Sequence, residues 1–292
     1  MKKSKSQILQ IMAICLLALA GIGVFSYPYI ASYLSSIHAS KVVGDYAKTV
    51  AKVKPTLAQE ELKRAHFYND DLAGNPVHDP FIPGSGMALD KDYLSILNIG
   101  GVMGYISIPK INVDLPIYHG TSEAVLSKGI GHLEGTSLPV GGDRTHAVLA
   151  GHTGLTYARM FTDLTELKIG DMFYIHVLNE TLAYKVDQIK VVLPENTKDL
   201  SLYNGHDYVT LLTCTPYGIN DHRLLVRGTR VAYNAKEEKA QVKTAGLSTE
   251  QRLVIITSLA TAAAMFGVVG LVYLLRRRRR AKKAAAQKTP KP

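Results

Sequence analysis

Tyr208-Val209-Thr210-Leu211-Leu212-Thr213-Cys214-Thr215-Pro216-Tyr217-Gly218 is the stretch on which the reading of this chain turns. Residues 208–213 are β-branched, aliphatic or aromatic, with no glycine or proline, and read as a strand. Thr215-Pro216-Tyr217-Gly218 then breaks it. Cys214 therefore stands at a strand end that opens into a loop, where rigid scaffolds present catalytic groups. The chain's other cysteine, Cys15, lies inside an apolar N-terminal run. A lone thiol in an exported domain has no disulfide partner in its own fold, so it is either an inert buried side chain or a reactive group.

The pattern around this strand is of the same kind. Residues 103–108, 115–119, 146–151, 171–177, 182–192 and 224–233 are short alternating or apolar runs with turns between them. Many short strands at even spacing predict a mainly β domain, closed as a barrel or stacked as a sandwich. Residues 159–167 read as a helical insertion. Upstream, residues 40–66 carry Val43, Ala47, Val50 and Val53 at helical spacing and a helix start near Thr56, which predicts one or two amphipathic helices. Residues 69–86 hold three prolines and three glycines and read as a long loop. Loops of that length are functional or disordered.

Two segments are apolar enough to span a bilayer, 8–30 and 253–275. Lys2, Lys3 and Lys5 precede the first; Arg276 to Arg280, Lys282 and Lys283 follow the second. Both flanks predict cytoplasmic ends and an external middle. A cleaved signal peptide is the other reading of 8–30, but no small-x-small motif adjoins the apolar run at Ala31 or Ala39. The formal charge of +10 follows the same division. Twelve of the 34 basic residues lie in the two ends, which leaves 22 against 24 acids between them. The basicity is a topology signal and a contact for anionic lipid, not a nucleic-acid footprint. No acidic cluster has calcium-loop spacing and no zinc-ligand pairs occur, so neither metal nor cofactor is expected.

A cysteine nucleophile needs a base or cationic neighbour and a donor for the developing oxyanion. His152 ends the run Val148-Leu149-Ala150 and sits in Gly151-His152-Thr153-Gly154, where glycines allow a sharp turn at a strand end. His119, His132 and His206 also lie near glycines, so a surface-loop histidine is the competing reading. For the cation, Arg223 opens the strand that follows Cys214 and would lie near the thiol in an antiparallel pair. Arg227 shares its face but lies about 13 Å further along at 3.3 Å per residue.

Thr-Leu-Leu-Thr-Cys214, Gly-His152-Thr and Arg223 nine residues after the cysteine together resemble the sortases, surface transpeptidases of Gram-positive bacteria. The resemblance runs over about 101–233. The C-terminal apolar segment with its basic tail, and Asp79-Pro80-Phe81 in the proline-glycine loop, resemble the pilin-polymerising class C and its lid. The resemblance implies an eight-stranded barrel with N-terminal helices and a lid loop, flanked by two transmembrane segments. It implies a cysteine transpeptidase that cleaves Leu-Pro-x-Thr-Gly-type sorting signals between Thr and Gly. In it Cys214 is the nucleophile, His152 the acid and base, and Arg223 the carbonyl or oxyanion donor. Asp79, Pro80 and Phe81 form the lid. The implied partners are pilin precursors and an acceptor pilin lysine, at a Gram-positive cell membrane with the catalytic domain outside. The expected organisation is a basic end with a signal or membrane segment (1–39), helices and lid (40–100), a catalytic barrel (101–235), a linker (236–252), a membrane helix (253–275) and a basic tail (276–292). A cell-wall-anchoring sortase, a hydrolysing cysteine peptidase and a non-catalytic membrane-anchored assembly module are the alternatives.

Overall fold

The computed structural model describes residues 2–72, 77–82 and 89–244, with isolated helical positions between 256 and 278; within residues 2–25 only some side chains are described. The chain divides into two units, 1–245 and 246–292. In the first, eight strands close into a barrel: β1 (Gly104–Ile108), β2 (Val113–His119), β3 (Ile130–His132), β4 (Thr145–Ala150), β5 (Met172–Val177), β6 (Glu180–Val192), β7 (Asp207–Thr215) and β8 (His222–Val231). The order around the barrel is β1-β2-β3-β4-β7-β8-β6-β5. The β2–β3 and β4–β7 pairs are parallel and the others antiparallel. Closure gives each of the eight strands a neighbour on both sides.

The period of two along each strand sorts side chains into two apolar clusters. Ile106, Ile117, Leu149, Ile175, Leu211 and Val226 belong to the main core. Their strand neighbours Val148, Ala150, Leu212 and Leu225 belong to a second, smaller cluster on the outer wall of β4, β7 and β8. Such a patch outside a barrel must be covered by something else in the chain. Here Leu126, Leu133 and Leu200 cover part of it, with Val77 and Phe81 of the proline-glycine loop packed against it.

Helices precede and follow the barrel. α1 (Lys2–Val50) is 49 residues long, about 74 Å at 1.5 Å per residue. Its last turns present Ala39, Val43, Tyr46 and Val50 at spacings of three and four, all buried. The Tyr46 hydroxyl donates to the Met103 carbonyl at 3.2 Å and accepts from the Leu178 amide at 2.9 Å. Burial pushes that phenol up to about 12, so it stays a neutral donor. Earlier in α1, Leu16, Leu17 and Val24 are exposed. Among the described residues no helix is long and apolar enough to cross a membrane. Part of the 8–30 side chains, and most of 253–275, lie outside them.

α2 (Pro55–Asp71) starts one residue before Thr56, and Lys54 ahead of it makes no side-chain cap. Pro55 takes the first position, where a missing N–H costs nothing. The helix runs past 66 because Asn69, buried near its end, grips the barrel side. Its amide donates to the Leu138 carbonyl at 3.1 Å and its oxygen accepts from the Leu138 amide at 2.7 Å. After the loop, α3 (Lys91–Ser95) is capped by Asp90. It is tied down by Tyr93, whose hydroxyl lies 2.9 Å from His132 Nδ1 and accepts from the Gly120 amide at 2.9 Å. Asn69 and Tyr93 thus anchor the two helices flanking the loop.

The insertion at 159–167 contains a short 3-10 turn, Thr162–Glu166, rather than an α-helix. Phe161 and Leu164 are buried three residues apart, and Arg159 pairs with Asp163. Three-residue β3 escaped the sequence reading because it is too short for alternation and includes Gly131. Within 236–252, expected as a linker, α5 (Ala235–Thr244) folds back on the barrel through a 3.0 Å contact between His176 Nε2 and Glu238 Oε1.

Candidate active site

Cys214 is the penultimate residue of β7, and Arg223 the second residue of β8. The two are direct cross-strand partners. Cys214 lies two residues after Leu212 and Arg223 two before Leu225, on the same outer face, so thiol and guanidinium border the outer apolar cluster. Cys214 is partly buried and free.

His152 reaches the same place from β4. Ala150 pairs with Leu212 in the parallel ladder, so two residues further along the neighbouring chains carry His152 and Cys214. Neighbouring strands lie about 4.8 Å apart. Two hydrogen bonds keep the register beyond the ladder: the Gly151 amide donates to the Leu212 carbonyl at 3.1 Å, and the Thr213 hydroxyl to the Gly151 carbonyl at 2.7 Å. Glycine is required at 151 because a Cβ there would lie 2.8 Å from side-chain carbons of both Ile130 and Phe161. The turn itself falls later, at Gly154, with φ of +76°. His152 Nε2 lies 3.2 Å from the carboxylate of Glu123, which opens α4 (Glu123–Leu126).

The loop segment 77–82 lies over this outer face. Arg223 Nε donates to Asp79 Oδ2 at 2.6 Å, with both side chains buried. The other carboxylate oxygen, Oδ1, accepts the Phe81 amide at 2.7 Å and so folds the loop around Pro80. The Phe81 ring centroid is 5.6 Å from that of His152 and 5.4 Å from the Arg223 guanidinium carbon. Phe81 therefore stands between the two polar residues with its apolar body on the outer cluster. Burial pushes the Cys214 thiol up; Arg223 draws it down and Asp79 pushes it up further. The covered state thus holds the sulfur mainly as a thiol.

Arg227 is placed elsewhere. It pairs with Thr210, makes two hydrogen bonds to Asp187 at 3.0 and 2.8 Å, and stacks 4.1 Å over the Tyr208 ring. His132 and His146 are fully buried and hydrogen-bonded to backbone carbonyls, Ser137 at 2.8 Å and Ser201 at 2.8 Å. His119 is nearly as buried and lies 2.7 Å from the Ile96 carbonyl. The structure thus brings Cys214, His152, Arg223, Asp79 and Phe81 together; His119 and His132 pack in the interior, and His206 is exposed, 2.9 Å from the Tyr208 hydroxyl. Glu123 was not foreseen, since nothing in its sequence surroundings distinguishes an exposed glutamate at a short helix. Among the described residues no group of three or more His, Cys, Asp or Glu side chains is placed to hold a metal ion.

A family model described as "Sortase domain" matches residues 106–231. Sortase C-1 from Streptococcus pneumoniae superposes with a TM-score of 0.64 at 52% identity, covering 66% of this chain and 100% of that one. The chain belongs to the sortase family. A pilus-related sortase C of Group B Streptococcus superposes on this sortase with a TM-score of 0.62 at 46% identity, covering 65% of this chain and 97% of that one. These neighbours place it in class C. Sortase D of Bacillus subtilis (strain 168) is 30% identical over 135 residues, 45% of this sortase. The match spans 65% of the length of that curated relative.

Proposed function

We propose that this sortase is a membrane-anchored cysteine transpeptidase that cleaves Leu-Pro-x-Thr-Gly-type sorting signals and joins pilin subunits through lysine isopeptide bonds. The observation that carries the reading is the register: Cys214 opposite Arg223, with His152 held at the same level of the adjoining strand. Donor peptide lies along the outer apolar floor where Val77 and Phe81 now pack. Cys214 Sγ attacks the Thr carbonyl carbon, and Arg223 holds the oxygen as charge develops on it. His152 protonates the departing Gly amine, leaving a thioacyl-enzyme. A pilin lysine then resolves the thioester. The sortase C of Group B Streptococcus being pilus-related supports this choice of substrate.

Anchoring is supported by the apolar runs at 8–30 and 253–275 with their basic flanks, and by the exposure of Leu16, Leu17 and Val24 along α1. Both anchors would hold the site at the membrane face where precursors emerge, raising their effective concentration. The test is intact-mass analysis of the protein after incubation with a sorting-signal peptide. An adduct of the acyl half on wild-type protein, absent from Cys214→Ala, is expected. No adduct on the wild type, or one surviving in Cys214→Ala, would overturn the reading. Adding a lysine peptide separates transfer, which yields a branched product, from hydrolysis.

A further inference from the structure

We propose that Glu123 is the recognition point for the cationic acceptor amine, a specificity role that rests on the transpeptidase reading above. The side of His152 facing the outer apolar floor is occupied by Phe81, and Arg223 is occupied by Asp79. That is the side the donor peptide takes when it displaces the loop. The other nucleophile must reach the same thioester from another direction. Glu123 marks that direction: its carboxylate touches His152 Nε2 at 3.2 Å while its own side chain is 76% exposed, against 19% for His152. So exposed a pair adds little to fold stability. A carboxylate at this point is better explained by what it meets from solvent.

The chemistry of the second half-reaction supplies the partner. A lysine side chain arrives as an ammonium and cannot attack until it loses a proton. A carboxylate against the imidazole draws the ammonium to the base that must deprotonate it. His152 takes one proton; the freed lone pair attacks the thioester carbonyl carbon and the N–C bond forms. The C–S bond breaks with its electrons on Cys214 Sγ, and the second proton lost from nitrogen ends on that sulfur. Charge at Glu123 is used only in this half of the cycle. The departing Gly amine of the first half receives its proton from His152.

The experiment compares wild type with Glu123→Gln, Glu123→Lys and Glu123→Asp. Three rates are read for each: thioacyl formation with a sorting-signal peptide, resolution by a lysine peptide, and resolution by hydroxylamine, which is uncharged at neutral pH. Asp45→Asn removes an exposed carboxylate on α1 and controls for net charge, and thermal melts control for folding. The expected result is unchanged thioacyl formation and hydroxylamine resolution in every variant. The KM for the lysine peptide rises about fivefold in Glu123→Gln. It rises further in Glu123→Lys and is largely restored in Glu123→Asp. Equal losses with both acceptors, or slower thioacyl formation, would show that Glu123 acts through His152 and overturn the proposal. So would an unchanged KM for the lysine peptide. A wild type that forms no thioacyl-enzyme removes the function beneath it, and that failure is visible without any Glu123 variant.

Discussion

Asp79 holds Arg223 by a 2.6 Å hydrogen bond at the point where Arg223 faces Cys214 across the β7–β8 ladder. The lid carboxylate thus occupies the cation on which the proposed chemistry depends. Its desolvation offsets much of its own attraction, because both side chains are buried. Deleting the carboxylate while the site stays covered leaves the guanidinium, among the described residues, with the Asn220 and His222 carbonyls, each at 3.1 Å, as acceptors. When the loop opens, water or a substrate carbonyl takes the place of the carboxylate.

The two arginines of β8 separate chemistry from stability. His152→Ala and Arg223→Ala should each lower the rate of thioacyl formation about 10²-fold or more. Arg227→Ala removes two hydrogen bonds to Asp187 and the stack on Tyr208, at the far end of the strand pair. It should lower thermal stability by about 1 kcal/mol and leave the rate near wild type. Rates and melts of the three variants check this. A dead Arg227→Ala with an active Arg223→Ala would contradict the assigned register.

His132 and His146 make stability depend on pH. Burial draws each imidazole down to about 4 from the ordinary 6.5. The unfolded chain therefore binds more protons between those values, and stability rises with pH across that window. It is fully present above about 6.5 and falls away as pH drops toward 4. At pH 5 each histidine should cost about 2 kcal/mol relative to pH 7. Urea unfolding of the protein at pH 5 and 7 reads the difference. A flat profile would mean that the two rings are not held neutral.

Much of the site was legible because its residues sit at strand ends, where alternation and breakers mark the chain. Cys214 before Thr215-Pro216, His152 after Val148-Leu149-Ala150, and Arg223 ahead of an apolar run all carry such signals. The parallel β4–β7 pairing that brings His152 to Cys214 is tertiary and left no local trace. The same holds for Glu123 and for Tyr46, whose roles depend on partners 29 and at least 57 residues away. Helix limits were misread where the deciding contact was remote: α2 continues to Asp71 because Asn69 bonds Leu138. α5 was hidden because its charged sequence docks through single polar contacts such as His176–Glu238, without an apolar stripe.

The proposed topology puts both chain ends in the cytoplasm. Protease applied to intact protoplasts should digest residues 40–251 and spare 276–292. A tag after Pro292 reports the outcome by immunoblot. Loss of the tag under these conditions would reverse the orientation drawn from the basic flanks.

The lid should control both access to Cys214 and its ionisation. Asp79 ties the loop to Arg223, while Val77 and Phe81 press on the outer apolar cluster. One buried ion pair and one aromatic contact bias the closed state by about 1–3 kcal/mol, which is roughly 5- to 150-fold in the open fraction. Asp79→Ala and Phe81→Ala should therefore speed alkylation of Cys214 by a small thiol reagent by a factor in that range, and raise cleavage of a sorting-signal peptide. The pH dependence of alkylation distinguishes the two. Burial is the largest influence raising the thiol, Arg223 lowers it, and Asp79 raises it. Phe81→Ala lifts the burial and leaves the Asp79 carboxylate. Asp79→Ala lifts both and leaves Arg223 acting alone on the sulfur. The alkylation midpoint should move to lower pH in both variants, and further in Asp79→Ala. Wild-type rates and an unmoved midpoint in both would mean that the loop does not guard the thiol.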